Sequence, residues 1–475
     1  MRASRQVLSS FGRRRRHVAS LRQLSSATKT KGRDQTRFSC FFSPKDDPRE
    51  LLGKLAGHAV LENPQGHDAA VVMATPTLFK HVNDPAFTLE LAKLLSAAAE
   101  TRHFHLLCAI VDCIAPAPGE PVPAPGVSVL RGELHSLMPR LWQPEPPLRA
   151  FDKDSVAAVT FRAGSSLQTL PLARTTFLNS RPSTLLAGRF DVSGGSPRLK
   201  QAMHKQWQQV NVWSADPGVG PDTGMGLWAP LSPVTRPRRI VDSFGNIVRG
   251  VDVEGKPTPA STELEDAINR IHGHRLAAEA SAGPMGVWAL VSPASSRQRL
   301  GDPDDAPDPE ATLDGKAASR EDVESTAAYL QSQHRAGCRL FQVLSGGGGW
   351  GAKKGLLSLD PRETFYAPPE EEDMERFMQA MSNSGLVPTD SYIQFFVSGM
   401  APSALTASSA TGVVFGVPTS PSSTEEAGPE PQTSLLADHF GALSSQGIYT
   451  SPLPNAKHAF RESKLSVPGS RVFFR

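Results

Sequence analysis

The residues best suited to chemistry are the glycines of SGGGGWGAKKG, the segment Ser345–Gly355. Because glycine lacks a Cβ atom, consecutive glycines let backbone N–H groups approach a ligand closely and form an anion-binding concavity. Two lysines that follow would add positive charge for a phosphate or a carboxylate. The predicted ligand-binding residues are Gly346, Gly347, Gly348, Gly349, Trp350, Gly351, Lys353 and Lys354.

Neither common nucleotide-binding motif fits this segment. Gly346 and Gly351 have P-loop spacing, but Ala352 stands where the motif requires lysine. G-x-G-x-x-G also matches, yet four consecutive glycines satisfy it trivially, and the residues that follow predict a short strand and a helix cap. A Rossmann turn must instead open a helix directly. We interpret the segment as a wide loop between a strand and a return strand, with Trp350 at its tip. A tight structural crossing or a partner-docking loop is the alternative interpretation.

Metal and nucleophile chemistry find less support. One predicted strand region contains His103, His105, Cys108 and Cys113. Side chains alternate between the two faces of a strand, so both histidines would lie on the face opposite Cys108. We therefore expect no zinc site. The sequence contains no G-x-S-x-G elbow and no kinase-type H-R-D or D-F-G. We therefore predict no catalytic residue, no metal and no cofactor, and we favour a non-catalytic module over an enzyme.

Two further polar segments favour structural roles. TFLNSRPSTL (Thr176–Leu185) is typical of a polar corner whose Asn, Ser and Arg residues satisfy backbone groups locally. TRPRRIVDSFGNIVRG (Thr235–Gly250) concentrates four arginines beside apolar positions. Guanidinium forks suit carboxylates or phosphates, but we interpret these arginines as a solvated or salt-bridged face.

The elements that position these residues alternate between short apolar runs and capped helices. AVVMATP (Ala70–Pro76) and Phe104–Ile114 predict buried strands, and Asp84-Pro85 predicts a helix start. Further strands are expected at Ser155–Ala163, Ser183–Asp191 and Gly286–Pro293, and helices at Ser261–Ile271 and Ser319–Gln333. The expected fold class is α+β or mixed α/β: two packed halves of mixed, largely antiparallel sheets flanked by helices, with Pro-rich insertions.

The charge is distributed unevenly along the chain. Residues 1–33 contain ten Arg or Lys and no acid, and the remainder holds 40 basic and 47 acidic residues, a net charge of −7. The body is therefore not expected to bind nucleic acid. No run approaches about 20 apolar residues, so we expect no membrane span.

The basic N-terminus is typical of a mitochondrial presequence. It is rich in Arg and Ser and lacks the apolar core of a secretory signal. Candidate matrix-processing sites follow Leu24 and, at Arg37-Phe38-Ser39, Phe38. We predict the mitochondrial matrix as the location; a disordered basic tail or a nuclear signal on Arg13–Arg16 is the alternative.

The organisation predicted from these patterns has four parts. A presequence over 1–33 and an irregular lead-in over 34–68 precede an N-terminal portion over 69–226 and a C-terminal portion over 227–475. A linker near 418–434, rich in Pro, Ser and Glu, interrupts the last portion.

Five segments together resemble one family: AVVMATP, LLCAIVDCI, PLSPVTRPRRIVDSFGNIVRG, VWALVSP and VLSGGGGWGAKKGLLSLDP. They are similar to fungal mitochondrial-type proteins of the FIST family (the F-box and intracellular signal transduction domain), over roughly residues 68–475. The resemblance implies that the N-terminal and C-terminal portions are FIST-like α/β portions forming one ligand-sensing unit, with no established catalytic residues. The chain departs from the family in having no F-box, no attached signalling domain and long Pro-rich insertions.

Together these observations predict a soluble matrix protein that binds or senses a small anionic molecule through its Gly-rich loop. Two alternatives stay open. The chain is an enzyme acting on a phosphorylated or nucleotide-like substrate through that loop, or it is a structural partner of a mitochondrial protein assembly.

Overall fold

The computed structural model describes residues 35–42, 47–56, 67–96, 101–116, 125–143, 156–164, 166–193, 197–213, 225–277, 285–293, 306–346, 355–361, 387–400, 412–419, 433–452 and 463–474. The predicted presequence and most of the predicted linker lie outside these ranges. None of the helices within them has the length and apolarity that crossing a membrane requires.

The expected α+β or mixed α/β class with helix-flanked sheets is wrong, because the protein is mostly β. Of the described residues, about 46% lie in strands and about 22% in helices, and six strands close a barrel. The sequence patterns missed strands whose side chains are polar on both faces. One such strand, β9 (Arg198–His204), lies at the edge of its sheet and is exposed along nearly its whole length. Its sequence therefore lacks the apolar alternation that marks a half-buried strand.

The first sheet has seven strands and carries helices on one face. Its spatial order is β21 (Ser434–Ala437), β1 (Thr36–Phe41), β5 (Gly126–Gly132), β2 (Ala69–Ala74), β3 (His103–Ile110), β8 (Leu185–Asp191) and β9. The helices α1 (Pro48–Leu55), α2 (Phe79–Val82) and α3 (Pro85–Ser96) share an apolar cluster with this sheet. The predicted helix start is confirmed: the Asp84 Oδ1 atom accepts a hydrogen bond from the Ala86 amide at 2.9 Å.

Two five-stranded sheets combine strands from distant parts of the chain. One has the order β10 (Trp207–Val212), β6 (Ala158–Ala163), β7 (Ser166–Pro171), β23 (Ile448–Pro452) and β24 (Ser463–Leu465). The other has the order β11 (Met225–Trp228), β25 (Arg471–Phe474), β20 (Gly412–Gly416), β22 (His439–Leu443) and β4 (Cys113–Ile114). Short helices α4 (Leu134–Leu137) and α5 (Thr176–Asn179) lie in connections. Both sheets contain strands from either side of residue 226, the predicted boundary between the N-terminal and C-terminal portions. The division of the chain into these two portions stays a prediction.

The barrel is built from the middle and later parts of the chain. It closes because β16 (Val287–Ser292) pairs both with β17 (Arg339–Gly346) and with β19 (Tyr392–Ser398). Its strands are β19 (Tyr392–Ser398), β13 (Arg238–Phe244), β14 (Ile247–Val253), β18 (Leu357–Leu359), β17 (Arg339–Gly346) and β16 (Val287–Ser292). Two short strands extend this sheet, β12 (Leu231–Pro233) on β19 and β15 (Lys256–Pro259) on β14.

Three helices lie between β15 and β17 in the sequence. They are α6 (Thr262–Ala277), α7 (Glu310–Leu313) and α8 (Arg320–Arg335). One side of α6, including Leu264 and Ile271, shares an apolar cluster with the barrel strands. The N-terminus of α8 is closed by a capping box between Ser319 and Asp322, which fixes where the helix begins.

An aromatic contact at the centre of the largest apolar cluster generates the first prediction. Phe161 and Phe415 stack with ring centroids 4.2 Å apart and belong to different sheets. We expect Phe415→Ala to lower the free energy of unfolding by about 3–5 kcal/mol, because it opens a cavity between the sheets. Urea unfolding measures the loss. Phe244→Ala is the matched control, since Phe244 is 74% exposed, and we expect a change within about 0.5 kcal/mol. Equal losses in the two variants would contradict this account of the core.

Candidate functional site

The Gly-rich segment connects two paired strands of the barrel. β17 ends at Gly346, and Gly346 lies opposite Leu357 of the antiparallel strand β18. A strand and a return strand therefore flank the segment. The remaining residues of the predicted site, Gly347, Gly348, Gly349, Trp350, Gly351, Lys353 and Lys354, lie outside the described residues.

The end of this connection is fixed against the start of α6. Gly355 has φ +85°, and a Cβ atom there would lie 2.5 Å from the Pro259 Cβ atom of β15. Its carbonyl oxygen accepts a hydrogen bond from the Ser261 amide at 3.2 Å. Only glycine combines this left-handed backbone with so close an approach. At the other end, a Cβ atom on Gly346 would collide with the Leu357 side chain. Glycine is therefore required at Gly355, while at Gly346 a Cβ atom would make the Leu357 side chain move.

The arginines of Thr235–Gly250 form ion pairs, as the salt-bridged interpretation expects. The tightest pair joins Arg238 to Glu263, with Nη2 and Oε1 2.6 Å apart, and this hydrogen bond raises the pKa of Arg238. The other pairs are Arg236–Asp308, Arg239–Asp252, Arg239–Asp390 and Arg249–Asp242. These guanidinium groups already have carboxylate partners and so do not form an open anion site.

A small pocket lies where α8 meets the barrel and both five-stranded sheets. Its volume is about 30 Å³, room for roughly two water molecules, and its wall is mostly apolar. Four side chains bring polar atoms to it: His334, Cys338, Thr450 and Ser463. Sequence reasoning did not assign this pocket, because its wall combines residues from Met225 to Val472.

The polar groups of the pocket are uncharged at neutral pH. The His334 Nε2 atom lies 3.3 Å from the Thr450 Oγ1 atom, which accepts a hydrogen bond from the Gln168 side chain at 2.8 Å. Burial lowers the pKa of His334 to about 4 and raises the pKa of the Cys338 thiol to about 11. The pocket therefore offers neutral hydrogen-bonding groups and no fixed charge for an anion.

A second arrangement that the sequence did not reveal lies deep in the core. The Ser39 Oγ atom is 2.7 Å from the His439 Nδ1 atom and 2.8 Å from the Ser128 Oγ atom, and all three residues are fully buried. Ser128 Oγ in turn accepts a hydrogen bond from the Gly441 amide at 2.9 Å. A serine beside a histidine can act as a nucleophile–base pair, but here both side chains lack exposure. The network instead joins β22 to β1 and β5.

The residues considered for zinc have other roles. The His105 Nδ1 atom accepts a hydrogen bond from the Trp142 indole at 3.0 Å, and burial lowers the pKa of His105 to about 4. Cys108 is buried, which raises the pKa of its thiol to about 12. Across the ranges that the structure covers, no three His, Cys, Asp or Glu residues are grouped so that they could hold a metal ion.

No protein-family model, curated protein or solved structure matches this chain. The FIST resemblance therefore stays a prediction.

The buried histidine generates a pH prediction. Burial, together with the positive charge of Arg37, lowers the pKa of His439 to about 4 from 6.5. Between these values the unfolded chain binds more protons than the folded chain, so stability decreases as the pH falls from about 6.5 to about 4. We expect His439→Asn to remove up to about 3 kcal/mol of that decrease. Urea unfolding at a series of pH values measures it.

The same substitution at the exposed His272 is the control for the effect of asparagine itself. A decrease in stability as steep in His439→Asn as in the unmodified protein would contradict the prediction.

Proposed function

We propose that this protein is a non-catalytic, FIST-like binding or sensing module of the mitochondrial matrix. Its Gly-rich connection between β17 and β18 would contact a small anionic molecule through backbone amides, with Lys353 and Lys354 supplying charge. The observation that supports this proposal is the fixed position of both ends of the connection. Gly346 is held against Leu357, and Gly355 against Pro259 and Ser261. A connection held in this way can present successive amides without first ordering its ends, which lowers the entropy cost of binding.

If the loop binds a ligand through its backbone amides, adding methyl groups to the loop should abolish that binding. We expect nucleotides, amino acids or organic acids from the matrix to include one that stabilises the protein by about 2.7 kcal/mol at 100 times its dissociation constant. Gly347→Ala/Gly348→Ala should abolish that stabilisation, because Cβ atoms hold the ligand away from the backbone. Thermal unfolding across a metabolite panel measures both effects.

The matched control is Gly273→Ala within α6, where a Cβ atom meets nothing within 4 Å. This variant should keep the ligand response and gain up to about 1 kcal/mol in stability, because alanine favours a helix over glycine. Unchanged ligand affinity in a folded Gly347→Ala/Gly348→Ala protein would contradict the proposed site.

The two rival functions make different predictions for the same samples. An enzyme acting on a phosphorylated or nucleotide-like substrate would consume a stabilising compound, which product analysis detects. A structural partner of a mitochondrial assembly would co-purify with that assembly and show no stabilisation by any compound in the panel.

Import into mitochondria also makes a prediction about the mature N-terminus. The second processing site would cut between Phe38 and Ser39, in the middle of β1, where Phe38 has 0% exposure and β1 pairs with both β5 and β21. We therefore expect processing after Leu24, which leaves β1 whole. N-terminal sequencing of the protein from isolated mitochondria tests this.

Chains that begin at Ser25, Gln35 and Ser39 supply the stability test. The first two should have the same free energy of unfolding. The third should have a free energy of unfolding lower by at least about 3 kcal/mol, because it lacks the buried Phe38 side chain. A mature protein beginning at Ser39 with undiminished stability would contradict the proposed boundary.

A further inference from the structure

The connection between β7 and β8 presents two apolar side chains to solvent. Phe177 protrudes with 105% exposure, and the neighbouring Leu178 is 46% exposed. We call residues 174–184, which include α5, the knuckle. These two side chains offer apolar surface whose burial in an apolar phase is favourable.

Hydrogen bonds hold the knuckle in one shape. The amides of Leu178 and Asn179 both donate to the carbonyl oxygen of Thr175, at 2.8 and 3.0 Å. The Asn179 side-chain amide donates to the Thr184 Oγ1 atom at 3.0 Å, and the Asn179 Oδ1 atom accepts from the Arg181 amide at 3.1 Å. This polar corner agrees with the interpretation of TFLNSRPSTL as a segment that satisfies its backbone groups locally.

The knuckle carries two positively charged side chains. Exposed Arg174 and Arg181 flank Phe177 and Leu178 in the sequence. Residues 174–184 contain no Asp or Glu, and the acidic residue of β8 is Asp191. Asp191 lies at the far end of β8, about 20 Å along the strand from the knuckle, and pairs there with Lys200. Among the described carboxylates, none forms an ion pair with Arg181.

These features fit a lipid surface better than a protein. A specific protein interface buries about 800 Å² on each partner around a shaped apolar centre, whereas the apolar surface here is limited to two side chains. A bilayer needs no complementary pocket: apolar side chains enter its interface while adjacent cations contact anionic headgroups.

We propose that the knuckle is a peripheral binding site for an anionic membrane, with Phe177 and Leu178 inserted at the lipid interface and Arg181 contacting the headgroups. This site is separate from the Gly-rich connection, so either proposal stands if the other fails.

Vesicle sedimentation of the full chain tests the proposal. The probes are vesicles of phosphatidylcholine alone and vesicles in which about one third of the lipid is phosphatidylglycerol. We expect preference for the anionic vesicles and binding at least about tenfold weaker for Phe177→Ser/Leu178→Ser. Arg181→Glu should also weaken binding to anionic vesicles. The basic N-terminus is common to all variants, so the difference between them isolates the knuckle.

A second measurement reports insertion at the knuckle itself. An environment-sensitive fluorophore on Phe177→Cys should brighten and shift to the blue with anionic vesicles. The matched control is Phe244→Cys, which carries the same label on an exposed site of β13. Thermal unfolding verifies that each variant is folded.

Three outcomes would overturn the proposal. The label at position 177 shows no change although the vesicles bind the protein; the serine variant binds vesicles as tightly as the unmodified chain; or no vesicle binding occurs. Equal retention of the unmodified chain and the serine variant on heparin, without vesicle insertion, would assign the positive surface to a soluble polyanion instead.

Discussion

The stacking of Phe161 on Phe415 is the contact on which the arrangement of the sheets depends. The two rings lie in different five-stranded sheets, and Phe440 packs edge-on against both. The cluster around them extends into the seven-stranded sheet, the barrel and α8. Pairing of strands from the two ends of the chain closes loops of several hundred residues, which carries an entropy cost. Burial of this shared apolar surface offsets that cost in the two five-stranded sheets, whose strands come from both parts of the chain.

The pairing of strands from distant parts of the chain also determines which groups are available for chemistry. Ser39 and His439 are brought within hydrogen-bond distance across 400 positions of sequence, but the strands that bring them together also bury them. Their network satisfies the hydroxyls of Ser39 and Ser128 and the Nδ1 atom of His439 at the junction of two sheets, where unpaired groups would be costly. At the pocket, burial keeps His334 and Cys338 neutral. Neither the Ser39–His439 network nor the pocket therefore supplies a charged group for an anion.

The Gly-rich connection and the knuckle depend on different physical constraints. In the barrel, β17 and β18 determine where the Gly-rich connection starts and ends, and glycine is needed at Gly355 because its backbone is left-handed and Pro259 leaves no space for a Cβ atom. At the knuckle, local hydrogen bonds among Thr175, Asn179 and Thr184 form a short polar turn, and Phe177 and Leu178 are exposed on it.

The sequence by itself determined the features that depend on near neighbours. The continuous apolar runs of β2, β3, β16 and β19 mark buried strands, Asp84 and Ser319 mark helix starts, and the charge imbalance separates residues 1–33 from the rest. Tertiary structure alone decided the mostly β class, the closure of the barrel and the exposure of Phe177. Edge strands such as β9 have no apolar period, and partners such as β7 and β23 are chosen by the surface they bury together. Local propensity cannot encode that choice, because it is made between residues hundreds of positions apart.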